Sequence, residues 1–421
     1  MYISPMRNFV ANIIMPGDKS ISHRAFICAS IANGKSIIRN FSYSDDVLQT
    51  IQSLRKLGAR IDIDKDNAIV IGTKLHPSKK ILYTGNSATT LRLLTGFLVG
   101  QNIPASLDGD EFLRKRPSSY LIKALCQMGA KISARQDKYP PVKIEQSDLH
   151  FIEHHLKIDS AQVKSALLLA GLGSDGIIIK EKNHSRNHTE LMLKSMGAKI
   201  DISGKIISLG RTELLNPLDI TIPGDISSSA YFIALAILLQ DSSIRVEKIG
   251  LNNTRIGFLQ ILKRMGADIQ WQVQEYNCNE SYGWIYAKSS QLKGVEISDS
   301  EIPLLIDELP LLAVIGTQAK GETIVRNAEQ LRIKESDRIS AICSQLKKIG
   351  ADIIELEHGF IVRQSNLISG KCSSFSDHRI AMSLAVAGAI SQKGIELQHA
   401  NAVKYSFPKF WDYIGTSSLM V

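Results

Sequence analysis

The sequence predicts an α/β fold of six similar units, grouped as two domains of three. A glycine-centred helix pattern recurs along the chain, and a second, more apolar helix pattern recurs in phase with it. The chain length agrees with this prediction, because 421 residues are too many for a domain with one ordinary core. The 44% of apolar residues are enough to fill a large interior. One such unit cannot bury its apolar faces alone, so several must pack together.

The first pattern is an amphipathic helix that stops at a glycine and leads into a strand, as in LRKLGARIDI around Gly58. Further copies centre on Gly129, Gly197, Gly266 and Gly350, and a degenerate copy, FWDYIGTSS, contains Gly415. The longest spacing lies between Gly266 and Gly350, which predicts an insertion between Gln270 and Leu292.

The second pattern is an apolar helix that opens after a polar turn. The six turns lie at 19–22, 85–88, 160–162, 224–227, 307–310 and 376–379. A strand-like run such as NIIM, KILYT or DITI precedes the turn, and a β-branched run such as GIIIK or ETIVRN follows the helix. The predicted unit is therefore strand, helix, strand, helix, strand, strand.

The charge pattern favours small anionic ligands over nucleic acid. The net charge is +9, but the longest basic run is 114–116 and aromatic residues make up only 6%. No apolar run approaches the roughly 18 residues of a membrane helix, and the N-terminal segment has no signal-peptide pattern. The five cysteines are scattered, which disfavours a disulfide framework and a zinc site. We therefore expect a cytoplasmic protein without a metal site, a membrane partner or a nucleic-acid partner.

Basic residues at helix starts predict bound anions. Lys19, Arg24, Arg92 and Arg379 lie at the N-terminal ends of apolar helices, where the helix dipole disfavours a cation unless an anion offsets it. Further basic residues open the amphipathic helices: 114–116, Arg186, Arg255, Lys334 and Arg338. The predicted ligands are a phosphate and a carboxylate, since both match arginine forks. The serine, threonine and asparagine residues of these turns have a simpler interpretation as N-caps.

Two acids in these turns are candidates for general acid–base catalysis. Asp307 lies in the apolar passage PLLIDELPLLAVI, and Glu335 lies in LRIKESDRI. Each has a structural alternative: Asp307 as the N-cap of a helix at 309–315, and Glu335 as a surface i,i+3 partner of Arg338. His378 is a weaker third candidate. No glycine-rich phosphate loop occurs, so the sequence does not support ATP or dinucleotide chemistry.

Several phrases in order along the chain resemble the 5-enolpyruvylshikimate-3-phosphate synthase family. They are PGDKSISHRA, GNSATTLRLL, GDEFLRKRPSS, SAQVKSALLLAGL, PGDISSSAYF, IDELPLLAVI, LRIKESDRI and SDHRIAM. The resemblance implies the enolpyruvyl transferase fold, a two-domain inside-out α/β barrel built from six βαβαββ units. It places an inserted domain at 16–225 and a discontinuous domain at 1–15 and 226–421.

The resemblance also implies a reaction. The family transfers the enolpyruvyl group of phosphoenolpyruvate to the 5-hydroxyl of shikimate 3-phosphate and releases phosphate, with no metal or organic cofactor. This step belongs to the shikimate pathway, which leads to chorismate and the aromatic amino acids. Members are commonly monomeric, so we expect a monomer whose partners are these two small molecules.

The resemblance assigns roles to individual residues. Those expected to bind shikimate 3-phosphate are Lys19, Ser20, Arg24, Ser160, Ala161, Gln162, Arg186, Asp307 and Lys334. Those expected to bind phosphoenolpyruvate are Lys19, Asn86, Ala88, Arg116, Gln162, Arg338 and Arg379. The expected catalytic residues are Asp307, which takes the hydroxyl proton, Glu335, which protonates the methylene carbon, and Lys19 and His378.

Three positions depart from the family pattern. Ala88 stands where many members have glycine, as in the branch that resists the inhibitor glyphosate, and its methyl group is expected to clash with the inhibitor. Ala161 replaces a serine and leaves only a backbone donor there. Lys404 is one position out of phase with a lysine that some members carry near the final Phe-Pro pair, so its role stays open.

Two other functions stay open at this stage. The sister enzyme that transfers enolpyruvyl to UDP-N-acetylglucosamine would lack KSISHRA and usually has a reactive cysteine in a mobile loop. Here Cys126 lies in an amphipathic helix, where we expect it to pack in the core. A non-catalytic repeat scaffold or nucleic-acid clamp would not need Lys, Arg, Asp and Glu gathered at helix starts, and its affinity for DNA would fall steeply with salt.

Overall fold

A computed structural model describes residues 1–416, which form two compact units. Of the described residues, unit 1 comprises Met1–Pro16, Gly224–Glu275 and 281–416, and unit 2 comprises Gly17–Pro223 and Tyr276–Glu280. Each unit has its own hydrophobic core. The sequence predicted one uninterrupted run from 226 onward, whereas the short segment Tyr276–Glu280 belongs to unit 2.

Two kinds of α-helix alternate along residues 1–416, as the two sequence patterns predicted. The apolar, buried helices are α1 (Lys19–Ala29), α3 (Ala88–Gly100), α5 (Ala161–Gly171), α7 (Ile226–Leu238), α9 (Leu309–Gly316) and α11 (His378–Ile390). The helices that follow them are α2 (Asp45–Lys56), α4 (Ser119–Gln127), α6 (His188–Ser195), α8 (Gly257–Arg264), α10 (Arg338–Lys348) and α12 (Phe410–Thr416). No helix in this part of the chain is both long and apolar enough to cross a membrane.

A glycine follows the helices α2, α4, α6, α8 and α10 of the second kind. One residue past the C-cap of α2, α4, α6, α8 and α10, the chain takes a left-handed conformation with φ of 96°, 98°, 86°, 96° and 90° at Gly58, Gly129, Gly197, Gly266 and Gly350. Glycine adopts this conformation without the steric cost of a Cβ atom. The five regular copies of the phrase are confirmed. The degenerate copy is wrong, because Gly415 lies inside α12, and the end of its phrase lies outside the described residues.

Within residues 1–416, five four-stranded sheets share one topology: the first strand is parallel to the second, the third is antiparallel to the second, and the fourth is antiparallel to the third. In unit 2 one sheet has the strand order β14 (Asp219–Thr221), β3 (Lys35–Arg39), β5 (Asn67–Ile71) and β4 (Arg60–Asp64). Another has the order β6 (Leu82–Tyr83), β7 (Ala105–Asp108), β9 (Tyr139–Glu145) and β8 (Lys131–Arg135). A further sheet has the order β10 (Ile152–His155), β11 (Gly176–Lys180), β13 (Ile206–Gly210) and β12 (Ile200–Ser203). The other two are β2 (Val10–Ile14), β15 (Ser243–Gly250), β17 (Glu280–Lys288), β16 (Asp268–Asn277); and β19 (Glu296–Ile297), β21 (Glu322–Val325), β23 (Gly359–Arg363), β22 (Ile353–Leu356). Smaller sheets join β24 (Gly370–Ser373), β25 (Ile395–Gln398) and β1 (Tyr2–Ile3), and pair β18 (Leu292–Lys293) with β20 (Ala319–Lys320).

Two strands belong to a different unit from the helix that follows them in the sequence. The NIIM run lies in β2 and precedes α1, but β2 pairs with β15, where Val10 is opposite Ser243. The DITI run lies in β14 and precedes α7, but β14 pairs with β3, where Asp219 is opposite Ile37. Each of these strands therefore completes a sheet of the unit that the chain is about to leave.

The predicted insertion is a lengthened hairpin. Strands β16 and β17 have ten and nine residues, and they occupy the place of the shorter last two strands of the other four-stranded sheets. The tip of this hairpin is the segment that belongs to unit 2.

Close packing of α3 against α5 aligns the starts of these two helices. Gly96 and Gly100 lie on one face of α3, and a Cβ atom at Gly96 would lie 2.1 Å from the carbonyl oxygen of Ala166 in α5. At Gly100 the corresponding distance, to the carbonyl oxygen of Leu169, would be 2.3 Å. Because later residues of α3 meet later residues of α5, the helices run in parallel and both begin at the same end.

Candidate active site

The predicted site residues fall into two groups, one in each unit, and each group gathers at the starts of buried helices. In unit 2 these are the starts of α1, α3 and α5. Asp18, Ser87 and Ser160 cap them: each side chain accepts a hydrogen bond from the backbone N–H group three residues further on, at 2.9, 3.1 and 3.4 Å. The N-cap interpretation is therefore confirmed for Ser87 and Ser160, and the remaining polar groups of these turns need a separate explanation.

Lys19, the first residue of α1, forms an ion pair with a residue that sequence reasoning missed. Its Nζ lies 2.8 Å from Oδ2 of Asp46 in the first turn of α2. This carboxylate offsets part of the cost of a cation at a helix N-terminus, which the sequence analysis assigned to a bound anion alone. The only signal for Asp46 was an acidic first turn, which ordinary helix stabilisation already explains.

Arg24 is buried one turn further along α1 and is held at three points. Its guanidinium donates to the Thr189 hydroxyl at 2.7 Å, the Ser165 hydroxyl at 2.8 Å and the Ser20 carbonyl at 2.8 Å. Burial lowers the pKa of Arg24 to about 10. Arg186 is nearby, with Nη1 3.5 Å from the Ser20 hydroxyl. The structure thus brings two arginines to the start of α1.

Gln162 lies at the start of α5, and Arg116 follows the 3₁₀ turn Leu113–Lys115, from which its side chain reaches the residues just before α3. The side-chain amide of Gln162 donates to the Thr89 hydroxyl at 2.9 Å and accepts from Arg92 at 2.5 Å. Arg92 also donates to the carbonyl oxygen of Pro117 at 2.8 Å, which fixes the turn after Arg116. Buried Arg116 donates to the backbone oxygen of Asn86 at 3.4 Å.

The two alanines that depart from the family pattern open these same helices. Ala88 is the buried first residue of α3, and Ala161 is the partly exposed first residue of α5. Asn86 is buried just before α3, and its Oδ1 has no hydrogen-bond partner within residues 1–416.

Arg338 is the centre of the site in unit 1. Its Nη2 donates to Glu335 at 2.6 Å, its Nη1 donates to Asp307 at 3.3 Å, and its Nε donates to Asp377 at 2.8 Å. Burial alone would lower the pKa of Arg338, but the carboxylates of Asp377, Glu335 and Asp307 raise it above its ordinary value. One guanidinium therefore holds both candidate acid–base residues beside each other.

These contacts test the structural alternatives for the two acids. The N-cap interpretation of Asp307 is wrong, because the residue at the N-cap of α9 is Glu308. The pair between Glu335 and Arg338 is confirmed, but it is not a surface pair, since the Arg338 side chain is only 2% exposed.

Asp377 was missed by sequence reasoning, although it lies in the matched phrase SDHRIAM. It is fully buried, caps α11 by accepting the backbone N–H of Arg379 at 2.8 Å, and also accepts from the Ser336 hydroxyl at 3.1 Å. The signal that was available is its position immediately before an apolar helix. Its partner Arg338 is remote in sequence, so local patterns do not show that Asp377 also binds the side chain at the centre of this cluster.

Arg379, the second residue of α11, has donors available for a ligand. Its Nη2 lies 3.9 Å from Oδ2 of Asp307, while its Nε and Nη1 make no hydrogen bond within residues 1–416. Burial alone would lower its pKa, but Tyr231, Asp307, Asp225 and Glu308 raise it well above its ordinary value. The Tyr231 hydroxyl acts on this guanidinium electrostatically without meeting hydrogen-bond geometry. A buried guanidinium with unsatisfied hydrogen-bond donors is suited to bind an anion.

The remaining residues of unit 1 that the sequence singled out are Lys334, His378 and Lys404. Lys334 ends a 3₁₀ turn at Glu329–Ile333, directly before Glu335, and is partly exposed. His378 is the buried first residue of α11. Lys404 is exposed in a 3₁₀ segment at Ala400–Tyr405, with its ammonium 5.7 Å from the ring centre of Tyr405.

The part of the chain described also bears on the predictions for metal ligands and cysteines. Residues 1–416 contain no group of three or more His, Cys, Asp or Glu side chains placed to hold a metal ion. The five cysteines, all within these residues, form no disulfide. The expectation that Cys126 packs in the core is wrong: it lies in α4, but its side chain faces solvent.

The fold defines the class of protein as an enolpyruvyl transferase. The solved structure of the enolpyruvyl transferase NikO from Streptomyces tendae matches with a TM-score of 0.79, covering 99% of this chain and 96% of that chain, at 16% identity. EPSP synthase from Acinetobacter baumannii matches with a TM-score of 0.86 and 36% identity, covering 99% of this chain and 97% of that chain. The predicted fold class is confirmed.

Sequence comparisons then give the family. The family described as EPSP synthase (3-phosphoshikimate 1-carboxyvinyltransferase) matches residues 3–414. A 3-phosphoshikimate 1-carboxyvinyltransferase from Thermodesulfovibrio yellowstonii is 44% identical over 422 residues, covering 98% of both chains. One from Thermoanaerobacter sp. (strain X514) is 42% identical over 410 residues, covering 96% of this chain and 97% of the relative. This chain belongs to the EPSP synthase family of enzymes, as the matched phrases predicted.

Proposed function

We propose that residues of unit 2 bind the acceptor and that residues of unit 1 perform the proton transfers in the reaction of this family. As a member, the chain transfers the enolpyruvyl group of phosphoenolpyruvate to the 5-hydroxyl of shikimate 3-phosphate and releases phosphate. The observation that supports the residue roles is the cluster in unit 1, where Arg338 joins Asp307 to Glu335 and Arg379 keeps two unmet donors.

The groups of unit 2 bind the acceptor. Arg24, Arg186 and Lys19 supply positive charge at the start of α1, where the helix dipole also favours a phosphate. Ser20, together with the start of α5, adds hydrogen-bond donors: Ser160, Ala161 and Gln162. In the same unit Asn86, Ala88, Arg116 and Gln162, with Lys19, contact phosphoenolpyruvate.

The groups of unit 1 perform the proton transfers. Asp307, with Lys334 nearby, takes the proton of the acceptor hydroxyl as its oxygen attacks C2 of phosphoenolpyruvate. Glu335, in its protonated form, delivers its proton to C3, giving a tetrahedral intermediate, and the resulting carboxylate then removes a proton from the same carbon as phosphate leaves. His378 supports this step from the start of α11.

Arg338 links substrate binding to these proton transfers. Its Nη1 and Nη2 donate to Asp307 and Glu335, and those are the donors that an anionic substrate would take over. Asp377 keeps Nε, so the guanidinium stays in place during the exchange. Arg379 and Arg338 then neutralise the carboxylate and the departing phosphate, and Asp307 and Glu335 are released toward the reacting atoms.

Phosphate release from purified protein tests these roles. We expect release with phosphoenolpyruvate and shikimate 3-phosphate, no release with UDP-N-acetylglucosamine, and no change with EDTA. Glu335→Gln should lower kcat by about 10²- to 10⁴-fold, the usual contribution of a positioned acid or base. The matched control is Glu357→Gln, because the Glu357 side chain is exposed. Release only with the nucleotide sugar would refute the acceptor, and a Glu335→Gln enzyme as fast as the control would refute the catalytic assignment.

We further propose that Ala88 makes the enzyme insensitive to glyphosate. Its methyl group is buried at the first position of α3, where a larger inhibitor would meet it. A single methyl group discriminates by about tenfold or more, so Ala88→Gly should lower the inhibitory concentration by at least that factor. The KM for phosphoenolpyruvate should change much less. An unchanged inhibitory concentration in Ala88→Gly would refute this proposal.

The monomeric state and the cytoplasmic location stay predictions from the sequence. Gel filtration with light scattering measures the first, and fractionation of the producing cells measures the second.

A further inference from the structure

A buried lysine in unit 2 has no role in the site described so far. Lys164 lies in the second turn of α5, and its side chain is 1% exposed. Its Nζ is 2.9 Å from Glu181, 2.7 Å from Glu190, and 3.2 Å from the carbonyl oxygen of Ser185, to which it donates. A buried ammonium is costly unless several such partners surround it, so this arrangement specifies one geometry.

The two carboxylates mark the ends of a single segment. Glu181 follows the last residue of β11, Glu190 lies in the first turn of α6, and Arg186 lies between them. Glu181 also accepts from the backbone N–H of Ser185 at 3.2 Å and from its hydroxyl at 2.5 Å. Lys164 therefore ties both ends of the segment 181–190 to α5. It also ties Ser185, the residue before Arg186, to the same helix.

The same contacts reach Arg24. Ser165, next to Lys164, accepts from Nη2 of Arg24, and Thr189, next to Glu190, accepts from its Nε. The Thr189 hydroxyl donates to that of Ser165 at 2.7 Å, which closes the network. Glu190 acts on both cations, because it pairs with Lys164 and also raises the pKa of Arg24 against the lowering effect of burial.

We propose that Lys164 is a positioning residue that sets the spacing of Arg24 and Arg186 for the phosphate of the acceptor substrate. This inference rests on the function proposed above. Guanidinium groups bind phosphate through directed pairs of hydrogen bonds, so a small displacement of either arginine weakens binding. Lys164 itself does not touch the ligand, and its effect appears as a change in acceptor affinity.

Steady-state kinetics of Lys164→Met test the proposal. We expect the KM for shikimate 3-phosphate to rise by about tenfold or more, while the KM for phosphoenolpyruvate and kcat stay within about threefold, because uniform acceptor binding is what is lost. The matched control is Lys180→Met: Lys180 lies on β11 beside Glu181, but it is partly exposed and pairs with Glu153 at 2.5 Å. The control should behave as the wild type.

A second variant keeps the test informative if Lys164→Met does not fold. Removing one partner of a buried ion pair is strongly destabilising, whereas Lys164→Met with Glu181→Gln removes opposite charges together and keeps Glu190 beside Arg24. This folded double variant should show the same selective rise in the acceptor KM. A rise in both KM values together, or no rise, overturns the positioning role.

Arg186→Ala separates this inference from the proposed function. A raised acceptor KM in Arg186→Ala, with an unchanged KM in the folded Lys164 variants, overturns only the role of Lys164. An unchanged acceptor KM in Arg186→Ala overturns the assigned phosphate site, and the positioning role with it.

Discussion

Replacing Asp377 by asparagine perturbs the site in unit 1 without removing the cap of α11. The substitution deletes one negative charge that faces Arg338, whose Nε lies 2.8 Å from Oδ2 and whose Nη2 lies 3.3 Å from Oδ1. Asparagine caps helices about as well as aspartate, so the hydrogen bond from the backbone N–H of Arg379 is retained. Alanine at the same position removes both interactions.

The contacts of Arg338 set the expected size of the effect. Breaking a buried ion pair costs about 3–5 kcal/mol. Because Arg338 keeps Glu335 at 2.6 Å and Asp307 at 3.3 Å, we expect Asp377→Asn to fall at the lower end, about 3 kcal/mol. Loss of the cap adds about 1 kcal/mol, so Asp377→Ala should cost about 4 kcal/mol. At about 2–4 °C per kcal/mol, the melting temperature should fall by about 6–12 °C for the asparagine variant.

Thermal and urea unfolding of the full chain measure these values, and phosphate release measures the activity of the same samples. The matched control is Asp352→Asn, whose carboxylate lies 3.4 Å from Arg363 in an exposed pair. Such pairs are worth about 0–1 kcal/mol. If Asp377→Asn were as stable as this control, the ion pair with Arg338 would not stabilise the fold. If the alanine variant matched the asparagine variant, the capping argument would be refuted.

Two further predictions concern unit 2. Gly96→Ala should destabilise the protein by about 1–3 kcal/mol despite the better helix propensity of alanine, because its Cβ would lie 2.1 Å from a backbone oxygen of α5. Gly415→Ala in α12 is the control, since a Cβ there would meet no atom within 4 Å, and equal effects in the two variants would contradict the packing argument. Burial, reinforced by Lys19 and Arg24, lowers the pKa of His23 well below 6.5, so the unfolded chain binds a proton there before the folded chain does. Stability should fall by up to about 1.4 kcal/mol per pH unit from this group as the pH drops below about 6.5. Urea unfolding between pH 7.5 and 5 measures this pH dependence, which His23→Gln should remove. The control His155→Gln, at an exposed position of β10, should keep the pH dependence. An unchanged pH dependence in His23→Gln would show that His23 does not cause it.

Much of the candidate site could be predicted from the sequence because the residues expected to bind the substrates cluster at helix starts. Arg24 and Arg379 stand out since a cation at the N-terminus of an apolar helix is locally unfavourable. Asp46 and Asp377 did not stand out, because an acid at a helix start is what local stabilisation predicts anyway. Their partners, Lys19 and Arg338, are 27 and 39 residues away along the chain, so only folding shows the contact.

The sequence by itself determined the repeating unit. Helix type follows from the spacing of apolar residues, and the glycine at each regular copy is needed where the chain turns left-handed after a helix, as at Gly58 and Gly350. Both signals are local, so they can be seen without knowing any partner. The family phrases added the reaction, because they match over nearly the whole chain.

Only the tertiary structure decided which elements and charges meet. The residue pattern of a short strand predicts its buried face but not its neighbouring strand. The sequence therefore did not show that β2 and β14 pair with strands of a different unit from the helices that follow them. The hairpin tip at Tyr276–Glu280 joins unit 2 for the same reason. Buried charges follow this rule most strictly: Lys164 and Arg338 hold carboxylates brought from other elements, because a charge removed from water must be balanced wherever the fold places it.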